Sequence, residues 1–304
     1  MKVIIDCDNT MGVPGSDIND GLAIFYLMGQ KDIELSGITT TYGNGKIDTV
    51  YRTTENMLKE MGRMDIPILR GCANRYVLES EAADYLVEMA NDYPGELSII
   101  ATGALTNLYA AYVKDHDFFN KIAHLIIVGG IPRDLMISGK LLDEWNFSAD
   151  PFATQWVLRE GKRLTVINHN MGFKLFMNSS EFMNRLNFRK SPIGCYIVNR
   201  SLSWLEYSKL SLRSDGFYVR DLLAAVYLAH PQLFEDIEQS VSLNHKNLSK
   251  GLLGQADEDE ECCQINMPII RELDAIIEDL YESWLRVPFD FKKQLRGQNN
   301  VLVM

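Results

Sequence analysis

Carboxylates and amides gather where the apolar runs of this chain stop. Val3–Ile5 runs into Asp6 and Asp8, Ile33–Thr41 into Gly43-Asn44, and Leu97–Ala101 into Thr102-Gly103. Likewise His124–Val128 runs into Gly129-Gly130, and Arg163–Ile167 into Asn168-His169-Asn170. If these runs are parallel strands, the residues after them share one crevice, because ligands of such sheets bind outside the carboxyl ends of the strands. An oxygen-rich set of this kind suits a hard divalent cation. Asp8 and Asp20 supply it from the first loop, and Asp221 joins from far along the chain. Singly, Asp20 and Asp221 are what the first turn of any helix favours, since the macrodipole attracts acids there. Together with Asp6 and Asp8 they read as a site. No GxGxxG and no GxxxxGK[ST] occurs, so nothing marks a nucleotide-phosphate cradle.

The elements that must hold these residues alternate. Strand patterns at Val3–Ile5, Ile33–Thr41, Ile66–Leu69, Leu97–Ala101, His124–Val128 and Arg163–Ile167 are separated by helical spacing. The helical stretches are Asp20–Met28, Asp48–Met61, Glu79–Asn91, Leu105–Lys114 and Phe152–Glu160. Strand, turn and helix in repetition predict an α/β fold: a single open, mostly parallel (mixed) central sheet with helices on both faces. In the second half, Phe182–Leu205, Val219–Ala229 and Ile269–Leu285 read as helices. Ser240–Leu243, Gly251–Gly254 and Cys262–Met267 read as short antiparallel strands around the acidic loop 255–261. No repeat or Pro/Ser-rich linker divides the chain, so residues 1–304 read as one domain.

Composition narrows the function. With 304 residues, 46% of them hydrophobic, the chain can bury a large core without staples. A net charge of −11 argues against nucleic acid or an anionic membrane as partner. No stretch reaches the roughly 20 apolar residues of a membrane span, and the first strand lacks the features of a secretory signal. The five cysteines, Cys262 and Cys263 adjacent, fit neither a disulfide framework nor zinc spacing and read as reduced thiols. A cytoplasmic location is expected.

Two enzyme families match the first strand. Val3 to Thr10 has the form hhhDxDxT and is similar to haloacid-dehalogenase-like phosphatases, in which Asp6 would be the nucleophile and Asp8 the general acid. That family's lysine motif and late acid pair are missing. The longer likeness, from Val3 to about Leu285, is to the inosine–uridine nucleoside hydrolase family. Asp6 to Ala23 resembles a stretched DxDPGxDDALA, and Ile38 to Asn44 resembles ITTxxGN. Ala101 to Asn107 resembles PTGxLTN; Gly129-Gly130, Glu144 to Phe147 and Asp150-Pro151 resemble MGG…EFNxxxDP; Arg220-Asp221 stands in the place of HDP.

The resemblance implies Ca²⁺ held by Asp8, Asp20, the Thr102 carbonyl and Asp221, with Asp8 also taking a proton from the attacking water. It implies that Asn19, Asn44, Glu144 and Asn146 grip ribose hydroxyls, orienting the sugar for an oxocarbenium-like transition state. The expected activity is hydrolysis of ribonucleosides to free base and ribose in nucleoside salvage, by a dimer or tetramer. The chain departs from the pattern in three places. Asn19 replaces the first acid of the DD pair, and the segment from Cys72 to Glu79 is short where relatives carry a histidine-bearing loop. Arg220 replaces a histidine able to protonate the leaving base, and a guanidinium does not release its proton near neutral pH. These departures also admit a ribose-binding protein that has lost turnover. For an enzyme, they predict faster cleavage of ribosides with good leaving groups than of inosine or uridine.

Overall fold

The computed structural model describes residues 1–132, 136–137, 140–141, 144–187 and 191–289. Period-two alternation sets the first strand, β1 (Lys2–Cys7): Val3, Ile5 and Cys7 enter the core on one face, and Ile4 enters the core on the other. Seven further strands complete the sheet: β2 (Glu34–Thr40), β3 (Ile68–Leu69), β4 (Leu97–Ala101), β5 (His124–Val128), β6 (Leu164–Ile167), β7 (Glu238–Ser242) and β8 (Cys262–Asn266). Their order is β7-β8-β6-β5-β4-β1-β2-β3, and every neighbouring pair is parallel except β7 with β8. The open, mostly parallel sheet expected from the sequence is present.

Helices cover both faces, as parallel strands buried on both sides require. One core joins Val3 and Ile5 to α1 (Asn19–Gly29), α8 (Asp221–Ala229) and α9 (Leu273–Arg286) through Leu22, Leu222 and Trp284. The other joins Ile4, Ile99 and Leu125 to α3 (Glu81–Asp92), α4 (Thr106–Lys114) and α5 (Pro151–Glu160) through Leu86, Leu108 and Val157. Helix α2 (Ile47–Met61) follows β2 and packs Met57 and Leu58 into the first of these cores.

The second half differs from its sequence reading in four places. Phe182–Leu205 is not one helix but falls in two, α6 (Ser179–Asn187) and α7 (Pro192–Ser211). Pro192 opens α7, where its missing N–H costs nothing; inside a continuous helix it would break the ladder. Ile269–Leu285 is also divided: Ile269–Ile270 pairs with Phe234–Glu235, and the helix starts at Leu273. The N–H groups of Arg271 and Glu272 both donate to the Leu233 carbonyl, which turns the chain between the two. Gly251–Gly254 is not a strand; only isolated bridges, at Leu252 and Gln255, touch that region. An antiparallel pair absent from the sequence reading, Phe176–Asn178 with Gly216–Tyr218, leads into α8. No described helix is long and apolar enough to cross a membrane.

Candidate active site

The chain leaves β1 for β2 and β3 on one side of the sheet and then returns to lay β4, β5 and β6 on the other. The carboxyl ends of β1 and β4 therefore flank a topological switch point, where a crevice opens naturally. Asp8 follows β1, Asn44 follows β2 and Thr102 follows β4. Asp20 lies in the first turn of α1, and Asp221 begins α8. Asp8, Asp20 and Asp221 are all buried.

Asp8 is fixed by its neighbour strand. The Asn44 backbone N–H donates to its Oδ2 at 2.6 Å and Asn44 Nδ2 donates to its Oδ1 at 3.0 Å. This approach needs Gly43, because a Cβ there would stand 1.9 Å from Asp8 Oδ2. Asp20 accepts the Thr102 hydroxyl at 2.6 Å. Burial pushes the Asp8 carboxyl up to about 6, against the pull of the Asn44 N–H. Burial, then the charges of Asp8 and Asp221, push Asp20 well above the usual carboxylate range. The two carboxyls act on each other in opposite senses: Asp20 lowers Asp8, and Asp8 raises Asp20. Asp221 is also pushed well up by burial, with Arg220 opposing and Asp17 and Asp8 adding to the rise. These acids feel one another. Among the described residues, however, no three Asp, Glu, His or Cys side chains are already drawn into a metal cage.

Two residues expected to grip ribose are engaged within the protein. Asn19 Oδ1 accepts the Arg220 backbone N–H at 3.1 Å, and its Nδ2 donates to Asp17 Oδ1 at 2.8 Å and to the Tyr218 carbonyl at 3.3 Å. Glu144 accepts the backbone N–H groups of Asn146, Phe147 and Ser148, which makes it the anchor of the short helix Asn146–Ala149. Burial still lifts its carboxyl to about 7. Asn146 Nδ2 bridges the ends of β4 and β5, donating to the Thr102 carbonyl at 2.9 Å and the Val128 carbonyl at 3.0 Å. The Oδ1 atoms of Asn44 and Asn146 have no hydrogen-bond partner among the described residues and are the amide oxygens left for a ligand. Asn146→Ala is expected to unlatch β4 from β5 and to lower kcat/KM on ribosides about 10- to 100-fold, through both KM and kcat. Steady-state kinetics beside a thermal melt would check it; a changed melt with unchanged kinetics would remove Asn146 from the site.

Asp17 is the residue that sequence reasoning missed. Its Oδ1 accepts the backbone N–H of Asn19 at 2.6 Å, and its Oδ2 accepts Arg220 Nη2 at 3.2 Å. The local Asp-x-Asn turn was readable in the sequence, but the partner 203 residues away was not. Asp6 is placed differently from Asp8. It lies within β1, wholly buried, with Oδ1 accepting from Thr39 and Asn107. The phosphatase likeness, which needs Asp6 as nucleophile, does not survive this placement and the full-length match below. A hollow of about 360 Å³ beside His124, Arg163 and Gln264 opens at the opposite ends of the strands, away from the acids.

Curated relatives include uridine nucleosidase 1 of Arabidopsis thaliana, 26% identical, covering 83% of this chain and 82% of that protein. Another is the pyrimidine-specific ribonucleoside hydrolase RihA of Citrobacter koseri, 23% identical, covering 80% and 84%. Among solved structures, a plant nucleoside hydrolase superposes with a TM-score of 0.81 at 24% identity, covering 94% of this chain and 99% of that one. A purine-preferring ribonucleoside hydrolase from Gardnerella vaginalis superposes with a TM-score of 0.79 at 18% identity over the same shares. At these identities the superpositions establish the fold. The model of the inosine-uridine preferring nucleoside hydrolases matches residues 3–276, a span that holds every strand end described above, and the chain belongs to that family of enzymes.

Proposed function

We propose that the chain hydrolyses the N-glycosidic bond of ribonucleosides with the help of Ca²⁺, releasing free base and ribose for nucleoside salvage in the cytoplasm. What supports this reading is that three buried carboxylates, Asp8 after β1, Asp20 at the start of α1 and Asp221 at the start of α8, are near enough for Asp8 to raise the other two. The donor set fits the ion. It is made of oxygen alone, and the Thr102 carbonyl keeps a second lone pair beside the bond from Asn146. A cation between the three acids would also offset the repulsion by which Asp8 raises Asp20 and Asp221.

When bound, Ca²⁺ would supply Lewis acidity, making a water molecule a better nucleophile at neutral pH. The chain's own residues do the rest. Asn44 holds Asp8 by two hydrogen bonds, so its carboxylate is oriented to take the proton of the attacking water. Asn44 and Asn146 offer amide oxygens to ribose hydroxyls, and Glu144 sets the backbone that carries Asn146. A homo-oligomeric state belongs to the same reading and rests on the family likeness. Chelation of divalent cations is expected to reduce riboside hydrolysis to background, and added Ca²⁺ to restore it. Assay of released ribose with EGTA, and then with Ca²⁺ in excess, is the test. Full turnover in chelator would sink the metal assignment, and Ca²⁺ that raises neither turnover nor thermal stability would do the same.

A further inference from the structure

Arg220 is the family departure with the most structure around it. Its backbone N–H is bound to Asn19 and its Nη2 to Asp17 Oδ2, so both ends of the residue are tied to the loop before α1. The Asp17 side chain is 9% exposed and that of Arg220 is 29% exposed, which leaves the cation anchored from below and open above. Its Nε and Nη1 donate to no described residue. Gly172 makes room for it, since a Cβ there would stand 2.5 Å from Arg220 Cγ. Beside it, Tyr218 packs edge-on against Phe173 at 4.8 Å and Phe176 at 5.0 Å, and Tyr218 and Phe176 remain part-exposed. Aromatic rings two residues before Arg220 and one residue after Gly172 give this region a face on which a planar heterocycle could stack, with the anchored guanidinium offering N–H donors to its carbonyl oxygens.

The neighbouring imidazole does not replace the missing acid. His169 is the adjacent imidazole, and burial followed by the Arg220 charge pushes it down to about 3. It stays neutral in use. Neither Arg220 nor His169 offers a departing base a proton.

We propose that Arg220, aimed by Asp17, receives the leaving base, and that the enzyme selects ribosides whose base departs as a carbonyl-stabilised anion, such as a pyrimidine-2,4-dione. This assignment rests on the ribonucleoside hydrolase reading. In the step, the C1′–N bond breaks heterolytically and its electron pair passes to the base nitrogen and into the adjoining carbonyl. The oxygen of water bonds to C1′, and the proton of that water goes to Asp8. The guanidinium keeps all its protons and stabilises the developing anion by hydrogen bonds and charge, as an oxyanion hole does. The base anion takes a proton from solvent after release. A purine that must be protonated before it leaves gains little from this arrangement.

The test measures kcat/KM of the Ca²⁺-loaded full chain for p-nitrophenyl riboside, uridine, 5-fluorouridine and inosine, in wild type, Arg220→Gln and Arg220→Lys. Inhibition by free uracil gives an equilibrium readout of the same contact. Wild type is expected to favour 5-fluorouridine over uridine and uridine over inosine. Arg220→Gln should lower uridine about 10²- to 10³-fold, as loss of an oxyanion donor does, and weaken uracil binding. Its p-nitrophenyl riboside activity should fall much less, because that leaving group needs little help, and Arg220→Lys should fall between. A uniform fall across all substrates, no fall for uridine, or inosine cleaved as well as uridine would each overturn the assignment alone. Wild type that cleaves no riboside, the p-nitrophenyl one included, would overturn the hydrolase reading beneath it.

Discussion

Asp8→Asn is expected to lower kcat on every riboside by about 10²–10⁴-fold, the range that a general base contributes. The substitution would remove the proposed proton acceptor and one proposed anionic ligand together, while keeping the shape of the side chain. Its stability effect should run the other way. The charge of Asp8 raises both Asp20 and Asp221, and an amide in its place relieves that repulsion. The Asn44 N–H can still donate to the retained oxygen. In the absence of divalent cations the melting temperature of Asp8→Asn should therefore equal or exceed that of the wild type. Near-normal kcat in the variant would show that the proton goes elsewhere, and a large loss of stability would show that Asp8 serves the fold.

The second large effect concerns the leaving group. With Arg220 in place of an acid and His169 pushed down by burial, neither of these residues is suited to protonating a departing base. An intrinsically good leaving group does not need one. The ratio of kcat/KM for p-nitrophenyl riboside over inosine is expected to reach about 10²–10⁴, the contribution a tuned general acid would otherwise make. Uridine should fall between the two. A ratio near one with brisk inosine turnover would mean that a proton donor reaches the base from a part of the chain not considered above.

The first half of the fold was legible because each of its strands ends at a Gly, Asn or Asp and each helix has its own apolar stripe. Leu97–Ala101 and His124–Val128 occur with the bounds the sequence suggested. The second half resisted because its elements are short and its breaks are tertiary. Pro192 signals a helix start as readily as a break, and the turn at Arg271-Glu272 depends on the Leu233 carbonyl, which no local pattern announces. Glu144 shows a similar limit. A glutamate beside a tryptophan and an asparagine looks ready for a ligand, and only the folded structure shows its oxygens taken by four backbone N–H groups. Asp17 lay in plain view within the first motif, but its meaning depends on Arg220, and pairing at that separation leaves no periodic trace.

The central place of β1 has a kinetic meaning. Both flanks of the sheet are laid on residues 2–7, so the frame can start forming from the earliest part of the chain. The acids obey a different schedule. Asp221 meets Asp8 and Asp20 only after α8 has docked on α1, which closes the longest loop in the site. That docking also forces like charges together in a dry place, so it is the least favourable part of assembly until a counter-ion arrives. A chain arrested before α8 would hold most of a sheet and no centre. A cation or substrate bound at this centre, as proposed, would stabilise only molecules that have finished folding, because anything that binds the native state alone shifts the equilibrium towards it. The active centre thereby acts as a proofreading device for its own scaffold.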